Sequence, residues 1–263
     1  MLAILDGTVM PAAEARIPAT DEGLLRGDGV FEVIRLYRGR PFALDDHLER
    51  MRRSAQNLRL PVDLDAVRRD VEALLAQAGE VDAALRVLCT RGGRRLGMVE
   101  PVKERPPQLA LATVTYAPSR ILDGVKSLSY AGNMLAGRLA VERGADEALL
   151  VTPHGRVLEG PTNSFFCSFD GETLVTPPLE DHVLDSITRR RLLTVTPARE
   201  AAIALDDLAR AREAFMTSTL LEVHPVRSID GAALPAAPGP LTQAAAGALR
   251  AHIEDALAAS AAR

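Results

Sequence analysis

A chain of 263 residues with 47% apolar side chains is long enough for one large domain or two small ones and has the material for a packed core. A formal charge of −4 and a pI near 5.8 argue against a nucleic-acid partner, which a basic face would attract. The apolar opening Met1–Leu5 stops at Asp6, too short for a signal-peptide core, and no later run approaches a membrane span, so a cytoplasmic protein with no membrane partner is expected.

In chain order, Ala3–Leu5 reads as a first strand and Val30–Tyr37 as a longer one, which turns at Arg38-Gly39-Arg40 and returns through Pro41–Leu44 as a hairpin. Asp45 or Asp46 then has the chemistry to cap a helix with the apolar stripe Leu48, Met51, Ala55 and Leu58. His47, Arg50 and Ser54 share its second face at helical spacing, so the two faces separate core from site. A further helix runs from about Leu64 to Ala78, stopped by Gly79. Strands near Ala83–Thr90 and Gln108–Tyr116 complete a small α+β domain over residues 1–116, and residues 117–123 read as a linker.

The larger domain, residues 124–263, opens with a strand Val125–Tyr130 and a helix from Ala131 through Arg143, ended by Gly144. Turns at Pro153-His154-Gly155 and Asp170-Gly171 separate short strands. A helix follows Ser186-Ile187-Thr188, then a strand Ala214–Thr217, a turn at Asp230-Gly231 and a closing Ala-rich helix from about Leu241 to Leu257. Hairpin series with helices between them favour an α+β fold over a regularly alternating parallel sheet.

Of 31 basic residues only Lys103 and Lys126 are lysines, so arginine serves almost wherever a positive charge is wanted. A guanidinium stays protonated, whereas a lysine amine can lose its proton and act as a nucleophile. Lys103 lies in the charged, proline-bounded stretch Pro101–Pro107, where solvent exposure accounts for it. Lys126 interrupts a half-buried strand, so it is either a paired structural lysine or a working amine. Cys89 and Cys167 have no Cys or His at ligand spacing, so no metal is expected and both read as buried, inert thiols.

The chain has no Gly-x-Ser-x-Gly elbow, His-Glu-x-x-His, Walker loop or Gly-x-Gly-x-x-Gly. It does have, in order, Gly27-Asp28-Gly29-Val30-Phe31-Glu32-Val33-Ile34-Arg35, His47-x-x-Arg50-x-x-x-Ser54, Lys126-Ser127-Leu128-Ser129-Tyr130, Gly144-Ala145-Asp146-Glu147-Ala148, Leu158-Glu159-Gly160, Thr176-Pro177-Pro178, Ser186-Ile187-Thr188-Arg189 and Pro225-Val226-Arg227-Ser228-Ile229-Asp230-Gly231. Together these resemble the class IV (fold type IV) pyridoxal-phosphate enzymes, the family of branched-chain and D-amino-acid aminotransferases and aminodeoxychorismate lyases. The likeness spans nearly the whole chain.

The resemblance implies a two-domain fold with pyridoxal 5′-phosphate in a cleft between the domains, in a homodimer acting on small-molecule amino and 2-oxo acids. It makes Lys126 the lysine that carries the cofactor as a Schiff base and Glu159 the carboxylate on its pyridine nitrogen. Leu184 falls among the cofactor-binding positions. The phosphate would fall to Arg50, to the Ile187 and Thr188 amides with the Thr188 hydroxyl, and to Ser218 with Thr219. Read without the resemblance, Glu159 is a strand-end carboxylate, Arg50 a solvated helix residue and Ser218-Thr219 a polar strand end. Tyr130 lies near the cofactor or fills the core as a strand aromatic. Phe31, Arg35 and Leu220 match substrate-pocket positions, and Leu220 is bulkier than usual there. Arg91, Arg94 and Arg95 are each candidates to grip a substrate carboxylate, against the alternative of a solvent-facing basic turn. Two departures stand out: Ser186 replaces a usual glycine, and the asparagine that normally follows Glu-Gly is displaced to Asn163. The expected activity is amino-group transfer between an amino acid of branched-chain or D type and a 2-oxo acid; the alternatives are 4-amino-4-deoxychorismate lyase and a cofactor-free binding module.

Overall fold

The computed structural model describes residues 1–261, so residues 262 and 263 of the expected second domain lie outside it. The chain packs as two units. One comprises Met1–Lys103, Gly124–Tyr130 and the chain end from Ala256; the other comprises Glu104–Asp123 and Ala131–Asp255. Three segments therefore group differently from the expected domains: residues 104–116 pack with the second unit, and the Lys126 segment and the chain end from Ala256 pack with the first.

The first unit contains β1 (Leu2–Leu5), β2 (Thr8–Pro11), α1 (Glu22–Arg26), β3 (Gly29–Tyr37), β4 (Arg40–Pro41), α2 (Leu44–Asn57), α3 (Leu64–Ala78), β5 (Ala83–Thr90) and β6 (Arg95–Glu100). Its sheet has the order β2-β1-β6-β5-β3-β4 with every pair antiparallel. Strand alternation sets its two faces. Val30, Ile34 and Leu36 of β3 and Ala83, Leu85, Val87 and Cys89 of β5 face a core with Leu48, Met51 and Ala55 of α2 and Val67, Val71 and Leu74 of α3. Asp63 caps α3 by accepting from the Ala66 amide at 2.9 Å, and Gly79 ends it with φ +69°, as the sequence suggests. The start of α2 differs from expectation. Its cap is Ala43 in a left-handed conformation with no side-chain bond, and Asp45 and Asp46 lie in the first turn, where they complement the helix dipole instead.

The second unit contains β7 (Leu109–Thr115), α4 (Ala131–Glu142), β8 (Glu147–Val151), β9 (Ser164–Ser168), β10 (Val175–Thr176), α5 (Ile187–Val195), β11 (Arg199–Glu200), β12 (Glu213–Ser218), β13 (Glu222–Ile229), β14 (Ala232–Ala233) and α6 (Pro240–Ala261). Its eight-stranded mixed sheet runs β11-β10-β9-β12-β13-β7-β8, with β14 on β13. β7 and β8 are parallel with α4 between them in sequence, because a parallel pair needs a crossover rather than a tight turn. Ala136 and Ala140 pack α4 onto Ala112, Val114, Ala148 and Leu150. The buried carboxylate of Glu213 accepts from the Leu241 and Thr242 amides at 3.2 and 2.7 Å, satisfying two otherwise unmatched donors at the start of α6. Cys89 and Cys167 are buried free thiols, and burial pushes the Cys89 thiol up to about 12. No helix among the described residues is long and apolar enough to cross a membrane.

Candidate active site

Lys126 sits on a short extended segment laid against β3. The Phe31 amide donates to the Lys126 carbonyl at 3.1 Å, the Leu128 amide to the Gly29 carbonyl at 2.9 Å, and Val30 bridges Ser127. A glycine is needed at position 29, since a Cβ there would stand 2.4 Å from the Cys89 carbonyl oxygen and 2.6 Å from Leu128. The Lys126 amide donates to Ser54 Oγ of α2 at 3.1 Å. The lysine side chain is half-buried, with Nζ 4.3 Å from the Phe31 ring centroid and 5.5 Å from that of Tyr130. The two rings meet edge to face at 5.2 Å, so Tyr130 belongs to the lysine's surroundings.

Beneath this segment the polar face of α2 is buried, not solvated. His47, Arg50 and Ser54 are 0%, 5% and 0% exposed, and they meet Glu32, which points from β3 into the core side of the sheet. Arg50 grips Glu32 with two parallel bonds, Nε to Oε1 at 2.8 Å and a terminal nitrogen to Oε2 at 2.6 Å; His47 Nδ1 lies 2.7 Å from the same Oε2. Burial pushes the Glu32 carboxyl up, but the charge and hydrogen bonds of Arg50 and the bond from His47 outweigh it and hold it at about 2. For His47 burial wins: it drives the ring below its ordinary value against Glu32, reinforced by the nearby charges of Arg50 and Lys126. Sequence reasoning quoted Glu32 within a motif without giving it a role. The signal was there, a carboxylate on the apolar side of a period-2 strand, which demands a buried partner.

The other face of β3 carries Phe31, Val33, Arg35 and Tyr37, and cross-strand register adds Arg86, opposite Val33. The Arg86 guanidinium lies 6.0 Å from the Phe31 centroid and pairs with Glu100; Arg35 lies 5.3 Å from the Tyr37 centroid, and one of its terminal nitrogens is buried with no hydrogen-bond partner. Arg86 lies within the expected strand Ala83–Thr90, and nothing in the sequence assigns it a role, since its place opposite Val33 depends on strand register. The three expected arginines are each held by a carboxylate of their own unit: Arg91 by Asp28, Arg94 by Asp6 and Arg95 by Asp70. Arg91 also donates to the Leu58 and Arg59 carbonyls, and Arg95 begins a strand, so the basic run is neither a free grip nor a simple solvated turn.

In the second unit, Glu159 Oε1 accepts from the Leu184 amide at 2.8 Å, which brings two expected residues together. Its loop is tied down by the Gly160 amide on the Asn163 carbonyl and by Asn133 Nδ2 on the Pro161 carbonyl. The displaced Asn163 is buried and reaches Glu147. Ser186 is the cap of α5, its hydroxyl accepting from Arg189, so it has a local role where a glycine would have none. An α-helix offers no acceptor for its first amides, here those of buried Ile187 and Thr188. Ser218 ends β12, and Thr219 and Leu220 form the half-buried turn after it, where Ser218 Oγ accepts from the Leu221 amide.

These residues suit a group with an aldehyde, a phosphate and a basic ring nitrogen. The first unit offers a half-buried amine on an aromatic pair and a buried guanidinium beside an imidazole whose Nε2 is an orphaned polar atom. The second offers the opening amides of a nine-residue helix and a fixed carboxylate. Among the described residues no group of His, Cys, Asp or Glu is arranged to hold a metal ion.

Known proteins resemble the chain over most of its length. The model of the family described as amino-transferase class IV matches residues 29–229. A putative branched-chain-amino-acid aminotransferase of Methanocaldococcus jannaschii is 32% identical, covering 86% of this chain and 87% of that protein. A D-alanine aminotransferase of Bacillus licheniformis is 31% identical over 92% of this chain and 94% of its own. A hypothetical aminotransferase from Mycobacterium tuberculosis, solved with alpha-ketoglutarate and PMP bound, superposes with a TM-score of 0.87 at 28% identity, covering 96% of this chain and 99% of that one. With a family model matched across most of the chain and relatives above 30% identity over most of its length, the protein belongs to the class IV aminotransferases, enzymes that depend on pyridoxal 5′-phosphate.

Proposed function

We propose that the protein moves an amino group between an amino acid of branched-chain or D type and a 2-oxo acid, using Lys126 as its working amine. The observation that carries this reading is the Lys126 ammonium packed 4.3 Å over Phe31, on a segment bonded to both β3 and α2. The names of the M. jannaschii and B. licheniformis relatives support the substrate class.

When bound, pyridoxal 5′-phosphate supplies a carbonyl carbon for an amine to join and a ring that takes up the electron pair left at the substrate α-carbon. Lys126 would hold the group, and its Nζ, when free, would take the proton from the substrate α-carbon and deliver it to the group's carbonyl-derived carbon, a general base then a general acid. Glu159, oriented by the Leu184 amide, would keep a proton on the ring nitrogen. Arg50, the Ile187 and Thr188 amides, the Thr188 hydroxyl and Ser218 with Thr219 hold the phosphate. Phe31 and Tyr130 line the lysine, and Leu220 narrows the room for a substrate side chain.

For the substrate carboxylate we add Arg86 to the candidates and rank it, with Arg35, beside Arg91, Arg94 and Arg95, since all but Arg35 are paired with a carboxylate. Arg35 and Arg86 share the Phe31 face, and Arg35 has an unmatched buried donor. Arg86→Leu is expected to raise KM for the 2-oxo acid by roughly ten- to a hundredfold, the worth of about 1.5–3 kcal/mol for a hydrogen bond to a charged group, with a smaller change in kcat. An unchanged KM would leave the grip to Arg35 or the 91–95 arginines.

The central test is a panel of single L- and D-amino acids added to the yellow holoenzyme. Branched-chain amino acids or D-alanine should move its absorbance from about 415 nm to about 330 nm, both properties of the cofactor. Release of 4-aminobenzoate and pyruvate from aminodeoxychorismate, with no amino acid moving the spectrum, would overturn the proposal in favour of the lyase.

The proposal includes a cytoplasmic homodimer. Ile121 is 89% exposed, and Met134, Leu135 and Val141 on α4 are 39%, 49% and 61% exposed, apolar surface that a second copy would cover. Sedimentation at micromolar concentration should give twice the 28.2 kDa chain mass, and a monomer would count against it.

A further inference from the structure

The buried cluster of Glu32, His47 and Arg50 contains one atom that its own bonds leave unexplained. His47 is fully buried, its Nδ1 sits 2.7 Å from Glu32 Oε2, and its Nε2 is buried with no hydrogen-bond partner among the described residues. A carboxylate accepts and does not donate, so Nδ1 carries the proton in that bond, and a neutral ring then leaves Nε2 as a bare lone pair. Buried acceptors of this kind are uncommon, and each calls for an explanation.

Charge counting supplies one. The charged groups facing the imidazole are Glu32 from β3, Arg50 from its own helix and Lys126 from the segment beside β3. With a carboxylate, a guanidinium and a neutral ring, the buried cluster has no net charge of its own, and the half-buried Lys126 adds one positive charge at its edge, one fewer than a phosphate dianion needs. A phosphate dianion arriving beside Arg50 places two negative charges against it where solvent does little screening. A proton on the ring compensates one of them and turns Nε2 from an unmatched acceptor into a donor.

We propose that His47 takes up a proton at Nε2 when a phosphate dianion binds beside Arg50, so that anion binding and ring protonation are a single coupled event. This rests on Arg50 being a phosphate-binding arginine, as proposed above. His47 is thereby a positioning and charge-matching residue that acts through the anion site, with Glu32 holding the ring in the one orientation that presents Nε2.

Calorimetry on the full-length apoprotein tests it, with pyridoxine 5′-phosphate as the probe because it has no aldehyde to join to Lys126. At pH 8 a free phosphate ester is a dianion, its second pKa being about 6. Titrations in two buffers of different ionisation enthalpy should show roughly one proton or a large fraction of one taken up per site, since linkage ties uptake to a change in proton affinity on binding. The uptake should vanish in His47→Gln while binding persists more weakly. As a safeguard against a variant that does not fold, ¹⁵N-histidine spectra of the unaltered protein should move one ring's Nε2 signal from the unprotonated to the protonated position on adding the probe, with the bound ³¹P resonance staying dianionic. Binding without proton uptake, uptake unchanged in His47→Gln, or a ³¹P resonance shifted to the monoanion each overturns the inference alone. Absence of binding, or binding unaffected by Arg50→Gln, overturns the anion-site reading together with it.

Discussion

Lys126→Arg is expected to lower turnover by at least about 10⁴-fold, the upper range for loss of a positioned general acid–base, while leaving the protein folded. Arginine keeps the positive charge and the contact with Phe31 and Tyr130, which is worth about 0.5–1 kcal/mol at a partly exposed site, so thermal unfolding should barely change. What it loses is the ability to exist as a neutral amine, because a guanidinium remains protonated at any pH the fold survives. Steady-state rates with the best amino donor test the first claim. Borohydride reduction followed by peptide mapping should place the reduced cofactor on residue 126 in the unaltered protein and nowhere in the variant. Lys103→Arg, in an exposed loop, is the control and should leave the rate unchanged. Substantial transfer by Lys126→Arg, or a label on another residue, would remove the basis of the proposed function.

Glu32→Gln is expected to cost about 3–5 kcal/mol of folding stability, because it leaves the buried Arg50 guanidinium without its counter-charge and sets an amide N–H₂ against its donors. The pH dependence follows from the sign of the carboxyl's shift. Glu32 is held at about 2 in the folded protein against an ordinary 4.5, so its contribution is fully present above about 4.5 and is lost as pH falls toward 2. That gap corresponds to about 3 kcal/mol. Denaturant melts of the two proteins should therefore differ most from pH 5 upward and converge only as the pH approaches 2. His47 acts over a separate window. Its folded value lies below 6.5, so the unfolded chain binds the extra proton first and stability declines as pH falls below about 6.5. The double substitution Glu32→Leu with Arg50→Met separates stability from function: it removes both buried charges, so much of the stability should return while phosphate affinity does not. A Glu32→Gln protein as stable as the original at pH 7 would show that the cluster is not the electrostatic unit its geometry describes.

Much of the local structure was legible in the residues. Ala83–Thr90 and Leu64–Ala78 form with the expected limits, and Ser186-Ile187-Thr188 opens a helix as read, because each carries its own period, cap or stop. β2, β6 and β13 were not read as strands. They alternate weakly, and although each has a sequence neighbour as one partner (β1, β5 and β12), β6 and β13 are completed only by distant strands, β6 by β1 across more than ninety residues of chain and β13 by β7.

The site divides in the same way. That Lys126 is the amine to watch follows from composition, since a chain that uses arginine nearly everywhere has a reason for a lysine in a strand. Which arginine pairs with which carboxylate does not follow, because Arg94 finds Asp6, Arg95 finds Asp70 and Arg91 finds Asp28 only through folding. Nor does periodicity reveal that the polar face of α2 is buried, since it separates apolar from polar sides of an element and says nothing of a charged residue across the sheet. The sequence by itself determined most of the elements, the family resemblance and the candidate amine, all of which are local or additive along the chain. Only the tertiary structure decided that Glu32 turns inward to hold Arg50 and His47 and that Arg86 shares a face with Phe31. Those relations depend on cross-strand register and on chain closure, which bring together charges that no spacing in the sequence connects.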